Sequence, residues 1–137
     1  MYDPKLFRDQ PRPVQIVSGG VVPAVFGAIA GVLIGASVGA YWGFAALAAI
    51  GSVVAGFEHQ DGWGGADRGL LAGAIYGAAL LIMHAIVGTH AKVSLGSFPP
   101  FLAVITAIAG MLLSAAGGKV ARLQRERAQA RAAVPAE

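Results

Sequence analysis

The chain has 137 residues, of which 56% are hydrophobic and 12% charged. Soluble domains carry about 25% charged residues, so this chain lacks the charge to cover a globular surface. It has no cysteine, which excludes disulfides, thiolate metal sites and cysteine nucleophiles. The net charge of +3 resides in one short C-terminal stretch beside an apolar run, a pattern that belongs to a membrane flank rather than to nucleic-acid binding.

The first segment, 1–18, is polar and holds Pro4, Pro11 and Pro13. Those prolines argue against a long helix there. From Pro13 to Phe57 no Asp, Glu, Lys or Arg occurs, and the same holds from Gly69 to Ala91 and from Val93 to Gly118. A span needs about 20 apolar residues, so the first run suits two helices and the others one each. The expected helices cover about 19–39, 43–57, 69–88 and 99–118. A tight turn is expected around Gly39–Gly43, with Tyr41 and Trp42 at the lipid–water boundary.

Residues 58–68 read as a loop between two hairpins, with Gly62, Gly64 and Gly65 as flexible turns. Asp67 is placed to act on the third helix N-terminus. Pro99 and Pro100 fit the first turn of the fourth helix. The basic tail, 119–137, is rich in helix formers and should extend that helix.

These features define an all-α, integral membrane four-helix protein with three parts: a polar segment 1–18, a membrane domain 19–118 and a basic tail 119–137. Nine of the ten Lys and Arg residues fall on one side if both termini share it, and only Lys92 falls on the other. The positive-inside bias then puts both termini in the cytoplasm and the protein in the inner membrane of a cell.

Glycine spacing carries most of the remaining signal. Gly27, Gly31, Gly35, Gly39 and Gly43 recur every fourth residue, as do Gly65, Gly69, Gly73 and Gly77. Thr106, Gly110, Ser114 and Gly118 repeat the interval, and so do Ala48, Ser52 and Gly56. Lipid gives helices no hydrophobic reason to associate, so close backbone packing along small residues must supply the attraction. The first stripe turns by about 120° between Gly27 and Gly39, enough to touch two neighbours. This predicts a homo-oligomer or a subunit of a larger membrane complex. Gly27–Gly31 also echoes Gly73–Gly77, which suggests a parallel repeat of the hairpins.

His84 lies seven residues after Gly77 and eleven after Gly73, on the packed face. An ionisable group there can serve a proton or solute path with Tyr76, Thr106 and Ser114. The simpler role is a neutral imidazole bonded to Thr106 or to a carbonyl. Glu58, His59, Asp61 and Asp67 offer metal-ligand types without a second cluster, and a solvated turn is the expectation. His90 is expected to be solvated.

Nucleophile elbows, P-loops and zincin motifs are absent from the sequence. The reading is therefore a non-enzymatic membrane assembly protein, needing no cofactor or metal. A small channel or transporter is the alternative, and a holin-like pore former the third. Lys119, Arg122, Arg125, Arg127 and Arg131 are the expected contacts to anionic lipid or to a partner.

Overall fold

Single capping residues set several of the helix ends in this chain. The structure, a computed structural model, describes residues 6–133, so 1–5 of the N-terminal segment and 134–137 of the tail lie outside it. The described residues are all-helical, and four helices are long and apolar enough to cross a membrane: α1 (Arg12–Ala36), α2 (Val38–Gly56), α3 (Gly62–Val87) and α4 (Phe101–Ala132). This is the architecture of a multi-pass membrane protein.

α1 starts earlier than the prolines suggested. Pro11 is its N-cap and Pro13 stands in its first turn, where a missing N–H costs nothing. Two of the expected helix breakers thus begin the helix. Residues Val17–Val21 form a π-helical stretch around Gly19 and Gly20 before regular α geometry resumes at Val22.

The α1–α2 turn is at Ser37, not at Gly39–Gly43. Ser37 is extended (φ −157°, ψ 132°) and its Oγ accepts the Ala40 N–H at 3.4 Å. One hydroxyl supplies the cap that starts α2, so no glycine turn is needed and Gly39 and Gly43 lie inside the helix.

α3 absorbs most of the expected 58–68 loop. The Asp61 carboxylate accepts the Gly64 N–H at 2.9 Å, starting the helix at Gly62. Gly62, Gly64 and Gly65 are helical rather than turn residues, and Asp61 takes the capping position expected of Asp67. At the other end Gly88 adopts φ 66°, and its N–H reaches back to the His84 carbonyl at 3.0 Å. That left-handed cap terminates α3.

Pro99 and Pro100 precede α4, and their carbonyls accept the N–H groups of Leu102 and Ala103. α4 then continues through the basic tail to Ala132, as its composition predicts. The two hairpins differ. α3 and α4 close on each other along their length, whereas α1 lies mainly on α3 and α2 mainly on α4. The end of the bundle with Arg12, Gly56, Gly62 and the α4 extension is called the base below. Ser37 and residues 88–100 form the top.

Candidate functional site

Four places were marked by the sequence: the glycine stripes, the His84 line, the 58–68 segment and the basic tail. At the α3–α4 seam the helices meet backbone to backbone. A methyl group added at Gly69 would strike the Gly110 carbonyl and lie 2.7 Å from Ser114 Cβ. At Gly73 it would lie 2.9 Å from Ala107 Cα, and at Gly77 2.7 Å from Ala103 Cα. On α1, Gly27 faces the Tyr76 carbonyl, Gly31 the Leu80 carbonyl and Gly35 the Thr89 side chain. Gly118 stands against the Asp61 carbonyl, and Gly56 of α2 against that of Ser114.

Gly39 departs from this pattern. It is exposed, and an added methyl would meet only Ser37 Oγ at 4.0 Å. Gly43 and Gly51 of α2 meet nothing within that distance. The first stripe packs within the chain only as far as Gly35, because the break at Ser37 turns the following residues onto another helix.

The residues of the expected polar path are strung out rather than gathered. Thr106 stands over Gly77, while His84 is two turns, about 10 Å, further along α3. The proposed His84–Thr106 bond is not formed: Thr106 Oγ1 donates to its own helix, at Ala103 O, over 3.1 Å. His84 Nδ1 is buried without a hydrogen-bond partner among the described residues. Ser114 is 1% exposed against Gly65 and Gly69. Its Oγ also lacks a partner among the described residues, whereas Ser52 Oγ reaches across from α2 to Gly110 O at 3.3 Å. Tyr76 lies on the α1 side, packed against the apolar cluster of Ala30, Ile34, Tyr41 and Leu80.

At the base, the 58–68 segment organises a charged cluster. Arg68 forms an ion pair with Glu58 and lies 4.1 Å above the Phe7 ring. Phe7 N–H donates to Glu58 O at 2.9 Å, and its ring packs on His59 with centroids 5.6 Å apart. His59 is only 9% exposed, and its Nε2 has no partner among the described residues. Burial first, and then the charge of Arg68, hold the His59 imidazole below the usual histidine range, with Arg8 adding to this and Glu58 and Asp61 opposing it. Among the described residues no three His, Asp or Glu side chains are grouped to hold a metal ion. A cavity of about 310 Å³ opens beside them, lined by Asp9, His59, Asp61, Trp63 and Asp67 among others.

The basic residues of α4 do not act as one set. Arg125 is turned inward, and its guanidinium donates to Phe57 O and His59 O at 3.1 Å each. It is thereby removed from the lipid-facing group and closes the base of α2, where open carbonyls favour a cation. Arg122 pairs with Glu126 at 2.7 Å, in the open. Lys119, Arg127 and Arg131 are exposed. The sequence reading did not anticipate Phe7, Ser37, Asp61 as a cap, or the inward Arg125.

Comparison of the chain with protein-family models, curated proteins and solved structures finds no match.

Proposed function

We propose that this chain is a non-catalytic assembly protein of the inner membrane of a cell, with its base and both termini in the cytoplasm. It acts as a homo-oligomer or as a subunit of a larger complex. The observation that carries this reading is on α2. Gly39, Gly43 and Ala46 share one exposed face within about 60°, beside the exposed Trp42. Glycine costs about 1 kcal/mol relative to alanine in a helix interior and gains nothing from lipid. Gly27, Gly31, Gly69, Gly73 and Gly110 each face a neighbouring backbone; here the same device meets no partner among the described residues. A second helix fits it.

The transport alternative would need a polar route through the bundle. Backbone contact along the α3–α4 seam, and the spacing of Thr106, Ser114 and His84 along it, weigh towards the assembly reading. The base orientation rests on the distribution of Lys and Arg, with Lys119 and Arg122 at the depth of anionic headgroups. Native mass spectrometry of the full chain, released from its own membrane, tests the proposal. A discrete multiple or a stoichiometric second chain is expected. A lone chain under every gentle extraction would overturn it.

A further inference from the structure

α4 does not stop where its apolar run stops. Its 32 residues extend over about 48 Å, some 18 Å more than the hydrocarbon of a bilayer, and the surplus stands at the base. The extension is fixed to the bundle. Arg125 lies seven residues beyond Gly118 and eleven beyond Ser114, on the packed face, and ties it to the carbonyls that end α2.

The opposite face of the same helix has no partner among the described residues. Ala116, Val120, Leu123, Arg127 and Ala130 are all exposed, with Val120 at 43% and Leu123 at 44%. Their steps of four, three, four and three residues are those of a heptad seam. Ala109 and Leu112, also exposed, carry the face back into the membrane span. Lipid tails cover such a face within hydrocarbon, whereas beyond Lys119 it meets headgroups and water.

We infer that the α4 extension pairs with the same segment of a second copy as a parallel, two-stranded coiled coil. This rests on the assembly reading and names its partner and contact. Copies inserted the same way in one membrane bring equal depths together, so a segment meets its own equivalent, parallel and in register. Val120 and Leu123 occupy the two seam positions in the order that favours two strands. Small Ala109 and Ala116 allow the helices to stay close as the seam enters the bilayer.

The flanking charges complement each other under this register. In a parallel pair the residue on one flank faces the residue five positions later on the partner's other flank. Glu126 then faces Arg131 of the partner subunit, and symmetry makes the pair twice. Glu126 now bonds Arg122 over 2.7 Å with both side chains more than half exposed, so little is lost on exchange. Arg127 is the one polar seam residue; its stem covers the seam while its charge reaches water, and such a residue fixes register at some loss of stability.

The chain has no cysteine, so single-cysteine variants of the full protein in membranes report the contact directly. Under mild oxidation Leu123→Cys and Ala130→Cys should form disulfide-linked dimers at least about fivefold faster than Gln129→Cys, which points away from the seam. Adding Glu126→Arg to Leu123→Cys should slow the reaction, and further adding Arg131→Glu should restore it. Equal rates at all three positions, or no rescue by the charge swap, would overturn the coiled coil. If native mass spectrometry still shows an oligomer in that case, the assembly reading stands without this contact; a lone chain would remove both. Trapping of a different polypeptide at Leu123→Cys would overturn the second copy as the occupant.

Discussion

The Lys92 ammonium donates to the Ala36 carbonyl at 2.8 Å, across 56 residues of sequence. Ala36 is the last residue of α1, and the Lys92 N–H donates as well, to Ile34 O at 3.0 Å. One loop residue thus satisfies two of the carbonyls that a helix end leaves open. A cation is the favoured group at that end. The α3–α4 loop is thereby fastened over the α1–α2 turn, and Ala91, Val93 and Leu95 follow it onto the apolar cluster. Lys92→Met keeps the stem and the backbone bond but removes the charge. A loss of about 1 kcal/mol is expected in a reversible detergent-unfolding titration. An unchanged midpoint would show that the ammonium contributes nothing to closing the top.

Gly110 and Gly43 make a contrasting pair. A methyl at Gly110 would strike the Gly69 carbonyl and lie 3.2 Å from Gly73 Cα, and backbone cannot rotate away. Gly110→Ala should therefore destabilise the fold by about 1–3 kcal/mol, the usual range for overpacking. Gly43→Ala meets no atom within 4 Å and gains helix propensity, so the single chain should hold or rise in stability. Gly43→Leu should leave the fold intact and dissolve the assembly, read as loss of the oligomer by native mass. Wild-type stability for Gly110→Ala would contradict the seam geometry.

Spans were legible in the sequence because charge-free runs of membrane length have few other uses. Helix ends were less so. Ser37 lies in an apolar run where glycines draw attention, yet its hydroxyl is the stronger signal, because its oxygen can accept an N–H of the helix that follows. Asp61 is followed by three glycines in four residues, which suggest a loop until the first turn is seen to be capped. The inward turn of Arg125 was accessible by the count used for His84, since it lies seven and eleven residues from Gly118 and Ser114. What no periodicity could supply is the pairing of α1 with α3 and of α2 with α4, because every stripe fits any other stripe of small residues.

Charge sets the expected orientation. With both termini on one side, the sequence assigns nine of its ten Lys and Arg residues to that side. Reporter fusions after Lys92 and after Glu137 should report opposite sides of the membrane, with the second cytoplasmic. The same side for both would require an even number of crossings between them and would break the topology.

His59 gives the base a pH dependence of defined sign. Its folded pKa is lowered, chiefly by burial and then by Arg68, so the unfolded chain binds the proton more readily. Stability is fully present above the ordinary histidine pKa of about 6.5 and falls as pH drops below it, levelling off under the folded value. Replacing His59 by Phe keeps a ring against Phe7 and removes the titration. The drop in melting temperature between pH 7.5 and 5.5 should therefore be smaller in His59→Phe than in the wild type. Identical drops would place the dependence elsewhere.

His84 separates assembly from transport. Its Nδ1 is buried with no partner among the described residues, and Thr106, the nearest expected acceptor by sequence, bonds Ala103 instead. An unpaired buried nitrogen costs about 1–3 kcal/mol, so it stabilises nothing that an apolar side chain of similar size would lose. His84→Leu should accordingly unfold at the wild-type temperature or above it. His84→Gln, which can still donate and accept, should be silent in both stability and oligomer size. A proton or solute path has the opposite requirement, since neither replacement can titrate between about pH 5 and 8. Liposomes carrying the wild type should show no pH-linked flux, and neither variant should change that. If the wild type carries such a flux and His84→Gln abolishes it while the oligomer persists, the chain is a transporter, and the packed bundle is one state of a gated path.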